Sequence, residues 1–214
     1  MAEFNKILTP RLDNALRDSI DFIQELVNER YLENALIENR SINDINDEKI
    51  EIKGCKFLNV IFDKCSFRSI DLLDVVFENC DLSNIDFSQG SIHRVQFKYC
   101  KLTGSNFSDC NIQDVYFDEV LGNYMNFGYS KIKNVNFNEC NMEGSIFIEN
   151  SFNKIVYRGC NLSNSEFTNT PLKNIDFRDS DITEILLTGT ELKGAIVSPL
   201  QAVELAKLLG VVIK

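Results

Sequence analysis

The chain has 214 residues, 22 Lys and Arg against 32 Asp and Glu for a formal net charge of −10, and 16 Phe, 7 Cys, 1 His and no Trp. That length suits one domain with a sizeable core. The acidic balance argues against direct nucleic-acid binding, which rests on Lys and Arg against phosphate, and a single His leaves little room for His-based catalysis or His-rich metal sites. No run of about 18 apolar residues predicts a membrane span. The N-terminus MAEFNKILTPRLDN lacks the apolar core of a secretory signal, so a soluble cytoplasmic protein is expected.

At the front, Thr9-Pro10 opens a helical pattern. Leu12, Leu16, Ile20, Ile23 and Val27 give an apolar stripe through Arg30, which predicts an N-terminal helical cap over 1–30. From there RYLEN, ALIEN and RSIND set Leu32, Ile37 and Ile42 at five-residue spacing, while INDEK puts Asp47 in the same place. Residues 31–49 are therefore expected to form irregular first coils.

From Ile50 to Pro199 the chain divides into 30 fives without a slip. The third residue of each five is apolar in 29 of them, Gly122 being the exception, and 14 of the 16 Phe stand there. All seven Cys (55, 65, 80, 100, 110, 140 and 160) stand at the first position. An apolar pair at first and third positions is the period-2 signature of a short strand facing a core, and the Asn, Asp, Gly and Lys that follow are turn residues. One such unit cannot bury its inner face alone, so the fives must stack. Cys then reads as a small inner side chain. No C-x₂-C spacing points to a metal, and neither metal nor other cofactor is expected. Gly122 suggests a bulge or a close approach.

At the far end Ser198-Pro199-Leu200-Gln201 reads as a helix start, with Ser at N-cap, Pro at N1 and Gln at N3, and Gly210 as the stop. The helix is apolar on more than one face. One face covers the last coil; Leu200, Val203, Leu205, Leu208, Leu209 and Val212, with Val211 and Ile213, are assigned to a homodimer contact within residues 200–214.

The fives CDLSN, IDFSQ, SNFSD and CNLSN resemble the pentapeptide-repeat family, and the resemblance covers Ile50 to Pro199 in unbroken register. It implies an all-β solenoid, a right-handed quadrilateral β-helix with four fives per coil over 31–199, first and third residues inward, and capping helices at both ends. Phe and aliphatic third-position residues alternate from Phe77 to Phe147, which places Phe on two opposite walls. Thirty fives make 7.5 coils, a rod of about 36 Å at ordinary strand spacing. The Qnr- and MfpA-like members of the family carry a similar C-terminal dimer cap. They are thought to imitate duplex DNA on type II topoisomerases, DNA gyrase among them, and so to alter quinolone sensitivity.

The outward residues offer two candidate sites. The adjoining sides that begin at Val60 and Cys65 carry 3 bases against 9 acids: Asp63, Asp81, Asp86, Asp109, Glu143, Glu149, Glu166, Asp181 and Glu184. This acidic edge fits a mimic of DNA, although about 36 Å of duplex carries about 21 charges. The other site is an apolar patch of Leu121, Tyr124, Tyr129, Ile146 and Ile148. The first reading is a topoisomerase-binding DNA mimic; the alternative is a general protein-interaction scaffold. No catalytic constellation is found: His93 is outward with no partner nucleophile, and second-position Asp residues read as turn chemistry.

Overall fold

A computed structural model describes residues 4–18 and 22–212. As predicted, these form a four-sided parallel β-solenoid of about seven turns with small capping helices. Every coil takes 20 residues, so Asp71 pairs with Ser91, Asn111 with Lys131 and Lys131 with Ser151. The first and second sides (beginning at Ile50 and Cys55) merge into unbroken strands, Asp71–Glu78, Ser91–Lys98, Asn111–Asp118, Lys131–Asn138 and Ser151–Arg158. Apart from the short ladder of Ser41–Asn43 with Ile61–Asp63, the third and fourth sides touch their neighbours by single bridges such as Asp81↔Lys101 and Asp86↔Asn106.

The corner is the fifth residue of each five. It adopts left-handed backbone from Asn34 through Glu184, except at Asp179, with nine Asn among the non-glycine residues there. Asn tolerates this conformation better than most residues because its short amide bonds the local backbone. Bulkier residues are held there by stacking: the corner N–H of Tyr99 donates to the Asp118 carbonyl at 2.9 Å and that of Tyr129 to the Ile148 carbonyl at 2.8 Å, one coil on.

Inside, two aromatic ladders climb opposite walls. Phe77, Phe97, Phe117, Phe137 and Tyr157 stack with centroids 4.8–5.1 Å apart, and Phe107, Phe127, Phe147 and Phe167 stack at 4.9–5.1 Å. The ladders meet edge to face across the centre, as Phe117 and Phe127 do at 6.0 Å and 88°, a geometry that the ring quadrupole favours. All seven Cys are buried and free. Their thiols point at a carbonyl 23 residues earlier, Cys110 to Phe87 at 3.2 Å for example, a place Ser105 and Ser165 fill with hydroxyls at 2.8 and 3.0 Å. The first position thus takes a small donor. Burial pushes the Cys110 thiol up to about 12 and the Cys55 thiol up to about 11.

Three expectations are corrected. The cap predicted over 1–30 is helical only in Phe22–Gln24 and the π-turn Glu25–Glu29, among the described residues. Phe22 and Leu26 are the buried pair, whereas Ile23 and Val27 of the predicted stripe are exposed; Ile20 lies outside the described residues. Residues 4–16 hold no helix and run along the rod. Secondly, the coil is already regular before Ile50: Tyr31–Glu33, Ala35–Glu38 and Ser41–Asn43 pair in register with the next coil. Thirdly, of the two readings of Gly122 the bulge is wrong and the close approach is right. It keeps register, its N–H donating to the Asn141 carbonyl at 2.7 Å, and the Met125 side chain fills the space: a Cβ at Gly122 would lie 2.2 Å from Met125 Cε.

The C-terminal end follows the sequence reading. Ser198 caps the helix Pro199–Ala206 in a reciprocal capping box with Gln201, and Gly210 closes the following turn in left-handed conformation. Gln201 also donates to the Phe177 and Ser180 carbonyls, each at 2.8 Å. The Glu191 carboxylate accepts from the Asn169, Thr188 and Gly189 N–H groups and so supplies the acceptors that a further coil would have given. Burial works to raise its pKa, but these bonds outweigh that and hold it below the usual range.

Tyr157 is the one tyrosine within the aromatic ladders; it is fully buried and its hydroxyl has no hydrogen-bond partner. A buried unsatisfied hydroxyl costs stability, so Tyr157→Phe should raise unfolding free energy by about 1–2 kcal/mol. Urea denaturation measures this, and a less stable variant would contradict it.

Candidate protein-interaction surface

The third and fourth sides present the outward residues of both predicted sites. Leu121 stands at the second position of the third side, bridged between Lys101 and Asn141. Tyr124 is the corner between the third and fourth sides, and Tyr129 the corner after the fourth, at φ of 60° and 62°. Leu121, Tyr124 and Tyr129 are 51%, 63% and 58% exposed. The Tyr124 ring lies over Gly144, where a Cβ would come within 2.7 Å of two ring carbons. Ile146 and Ile148 occupy the fourth side one coil on and are half-buried, Ile146 being bridged to Asn126 and Glu166. The patch therefore consists of three exposed residues with the two isoleucines between and below the tyrosine corners. Sequence reasoning missed Ile61 and Tyr99, both about half exposed, which line a groove of about 320 Å³ with Asp81 and Lys101. Both stand at outward positions of the register, which is the signal that could have found them.

The acidic residues divide by role. At second positions Asp81 accepts from Ser83 N and Oγ at 3.1 and 2.7 Å, Asp86 from Ser88 N at 2.9 Å, and Asp181 from Thr183 N and Oγ1 at 2.9 and 2.6 Å. Glu166 accepts from Thr168 Oγ1 at 3.0 Å and Glu143 from Asn123 Nδ2 at 3.5 Å. The bonds of Asp81, Asp86, Glu166 and Asp181 tie each carboxylate to the turn beside it, whereas that of Glu143 reaches the preceding coil. Asp81 also faces Lys101 at 3.5 Å; burial would raise its pKa, but the Ser83 bonds and Lys101 hold it below the usual range. Asp63, Asp109, Glu149 and Glu184 are exposed. One surface thus carries carboxylates toward both ends and aromatic side chains in the middle.

At the C-terminal end Leu200, Val203, Leu208, Val211 and Val212 are exposed. Leu205 is not: it packs against the chain's own core and lines a shallow apolar depression of about 230 Å³ with Leu192 and Val197. The Leu209 side chain and Ile213 lie outside the described residues. His93, expected to be a solvated outward residue, is partly covered, its Nε2 lying 3.5 Å from Asp114 Oδ2. No group of three or more His, Cys, Asp or Glu among the described residues is placed to hold a metal ion. No helix among them is long and apolar enough to cross a membrane.

Solved structures that match the chain include a trypsin-treated QnrB1, a plasmid-mediated fluoroquinolone resistance protein, at 19% identity over 86% of this chain and 98% of that one, with a TM-score of 0.47. Full-length QnrB1 matches at 16% identity over 83% and 100%, with a TM-score of 0.44. HetL, a pentapeptide repeat protein involved in heterocyst differentiation regulation from the cyanobacterium Nostoc, matches at 14% over 85% and 97%, with a TM-score of 0.23. No curated protein matches the chain. A model of the pentapeptide repeat region matches residues 50–127, 90–155 and 130–197. With that span covered in the register already seen in the coils, the chain belongs to the pentapeptide-repeat family.

Proposed function

We propose that the protein is a non-enzymatic binding rod that works in the cytoplasm as a homodimer. Its third and fourth sides dock in a protein groove built for duplex DNA, and type II topoisomerases such as DNA gyrase are the first partner to test. The observation that carries this reading is that the exposed tyrosines and the acidic edge share two adjoining sides. Asp63, Asp81, Asp86 and Asp109 lie toward one end of the rod from Tyr124 and Tyr129, and Glu143, Glu149, Glu166, Asp181 and Glu184 toward the other. Carboxylates steer a basic groove into register, while aromatic anchors at the centre of a contact supply most of its energy. The edge nets −6, well under the roughly 21 charges on about 36 Å of duplex, so charge alone is a poor imitation and the tyrosines must add affinity. A core filled by side chains supports binding over catalysis, because acid–base chemistry needs convergent groups in a cleft.

The second reading, a general interaction scaffold with another cellular partner, is favoured by the extension of the exposed apolar surface to Ile61 and Tyr99. Rising salt separates the two, since electrostatic docking weakens with ionic strength and apolar contact does not. In a gyrase supercoiling assay with and without ciprofloxacin, the wild-type protein should change supercoiling or drug-induced cleavage. Tyr129→Asp with Ile148→Asp should remove that effect without unfolding the rod. A wild-type protein without effect at any ratio to enzyme would exclude gyrase as the partner.

The dimer reading rests on the apolar residues that the C-terminal helix leaves exposed, Leu200, Val203, Leu208 and Val212. Leu200→Asp with Val203→Asp should halve the mass seen by light scattering while the circular dichroism of the solenoid stays unchanged. A variant that kept the wild-type dimer mass would contradict the assignment.

A further inference from the structure

Residues 4–11 lie lengthwise along the corner between the first and second sides, crossing the coils. Successive outward groups of those coils bind the segment's main chain. Asn136 makes a reciprocal pair with Asn5, its Oδ1 accepting from Asn5 N at 3.2 Å and its Nδ2 donating to Asn5 O at 2.9 Å. Asn134 Nδ2 donates to Lys6 O at 3.2 Å. Asp114 Oδ1 accepts from Leu8 N at 3.3 Å, and Asp74 Oδ1 from Arg11 N at 2.9 Å. The step from Leu8 to Arg11 covers the two coils from Asp114 to Asp74, about 10 Å, which is what three extended residues span.

By register Asp74, Asp114 and Asn136 are outward residues, yet they are only 6%, 4% and 2% exposed. The segment itself supplies the cover. Arg94 braces the track from beneath, bidentate to Asp74 at 2.6 Å on both arms. Two contacts read side chains: the Phe4 ring stands edge-on to Tyr116 at 5.8 Å with the Arg158 guanidinium 4.9 Å over it, and Asn5 Nδ2 donates to Lys154 O at 2.7 Å. The track does not stop at Asn5. It opens into a groove of about 540 Å³ whose lining includes Asn5, Phe152, Lys154, Asn174 and Asp176. Meanwhile the segment sends no large side chain into the core; Leu8 is exposed and Phe4 only partly covered. Holding by surface hydrogen bonds with little apolar burial is the mark of a segment that opens at small free-energy cost.

We propose that this corner is a peptide-binding site for an extended, basic segment with an aromatic–Asn pair at its start, and that residues 4–11 are its resident occupant in cis, to be displaced by such a segment of another protein. The main-chain bonds to Asn136, Asn134, Asp114 and Asp74 supply affinity without regard to sequence. Phe4 and Asn5 define the specificity, and Lys6 and Arg11 match the carboxylates that line the track. Because the occupant is tethered, its effective concentration is high and a free competitor is disfavoured until the tether is weakened. This assignment is independent of the surface on the third and fourth sides.

The test uses the full chain and a fluorescein-labelled synthetic peptide of residues 2–13, followed by fluorescence anisotropy. A variant carrying Phe4→Ala and Asn5→Ala should bind the peptide at least tenfold more tightly than the wild type, whose own arm competes. Adding Asn136→Ala to that variant should abolish binding. If the double variant keeps the solenoid circular dichroism and binds no peptide, the proposal fails. It fails too if wild type and variant bind equally, or if Asn136→Ala has no effect. Should the double variant not fold, Phe4→Ala alone carries the same comparison with the same outcomes.

Discussion

The fold depends on one constraint: a residue and the residue 20 places later must lie directly over one another. A five buries only two side chains, too little to stabilise anything alone, so every favourable term in the rod is shared between coils. Backbone hydrogen bonds run from each coil to its neighbour. Phe97 rests on Phe117, which rests on Phe137, and the thiol of Cys110 answers the carbonyl of Phe87. The left-handed corners follow from the same source. Tyr, Glu and Lys accept an unfavourable φ there because their N–H groups are fixed by the coil above.

That constraint explains which features were legible in the sequence. A period of five with apolar first and third residues gave the architecture, the inward Cys and the two Phe walls, because those depend on positions that repeat. The capping box at Ser198 was legible because its chemistry is local. The path of residues 4–16 was not. Thr9-Pro10 and a spacing of four suggested a helix, but the segment is held by partners 63 to 149 residues away, a relation that local periodicity cannot carry. The cap was misassigned for a related reason: Phe22 and Leu26 are also four apart, and only the shape of the first coil decides which stripe turns inward. Gly122 breaks the run of apolar third positions. Its missing side chain is replaced by Met125, the inward first residue of the next five, a flexible filler suited to an irregular gap.

Of the candidate surface, the sequence register identified the outward residues, since the period also says what faces water. It could not grade them. Asp81, Asp86 and Asp181 are partly committed to their own turns, whereas Tyr124 and Tyr129 are carried on corners and project into solvent. The division is physical: a second-position carboxylate reaches the N–H two residues on, while a ring at a corner finds nothing local to bond. A filled core also sends variation to the outside. The coil stays the same while outward residues differ from side to side, and the corner track of Asp74 and Asp114 is buried beneath the chain's own N-terminal segment.

Register rather than composition holds the rod together, and two deletions test that directly. Removing Cys160–Asp179 takes out one whole coil and joins Gly159 to Ser180, leaving every later residue on its own side. Removing only Cys160–Asn164 joins Gly159 to Ser165 and moves Phe167 and Phe177 each round by one side, off their ladders. Thermal unfolding followed by circular dichroism should show a cooperative β-solenoid transition for the 20-residue deletion, and its loss or marked lowering for the smaller one. A five-residue deletion that unfolds as cooperatively and at as high a temperature as the whole-coil deletion would contradict the claim that coil-on-coil register holds the protein together.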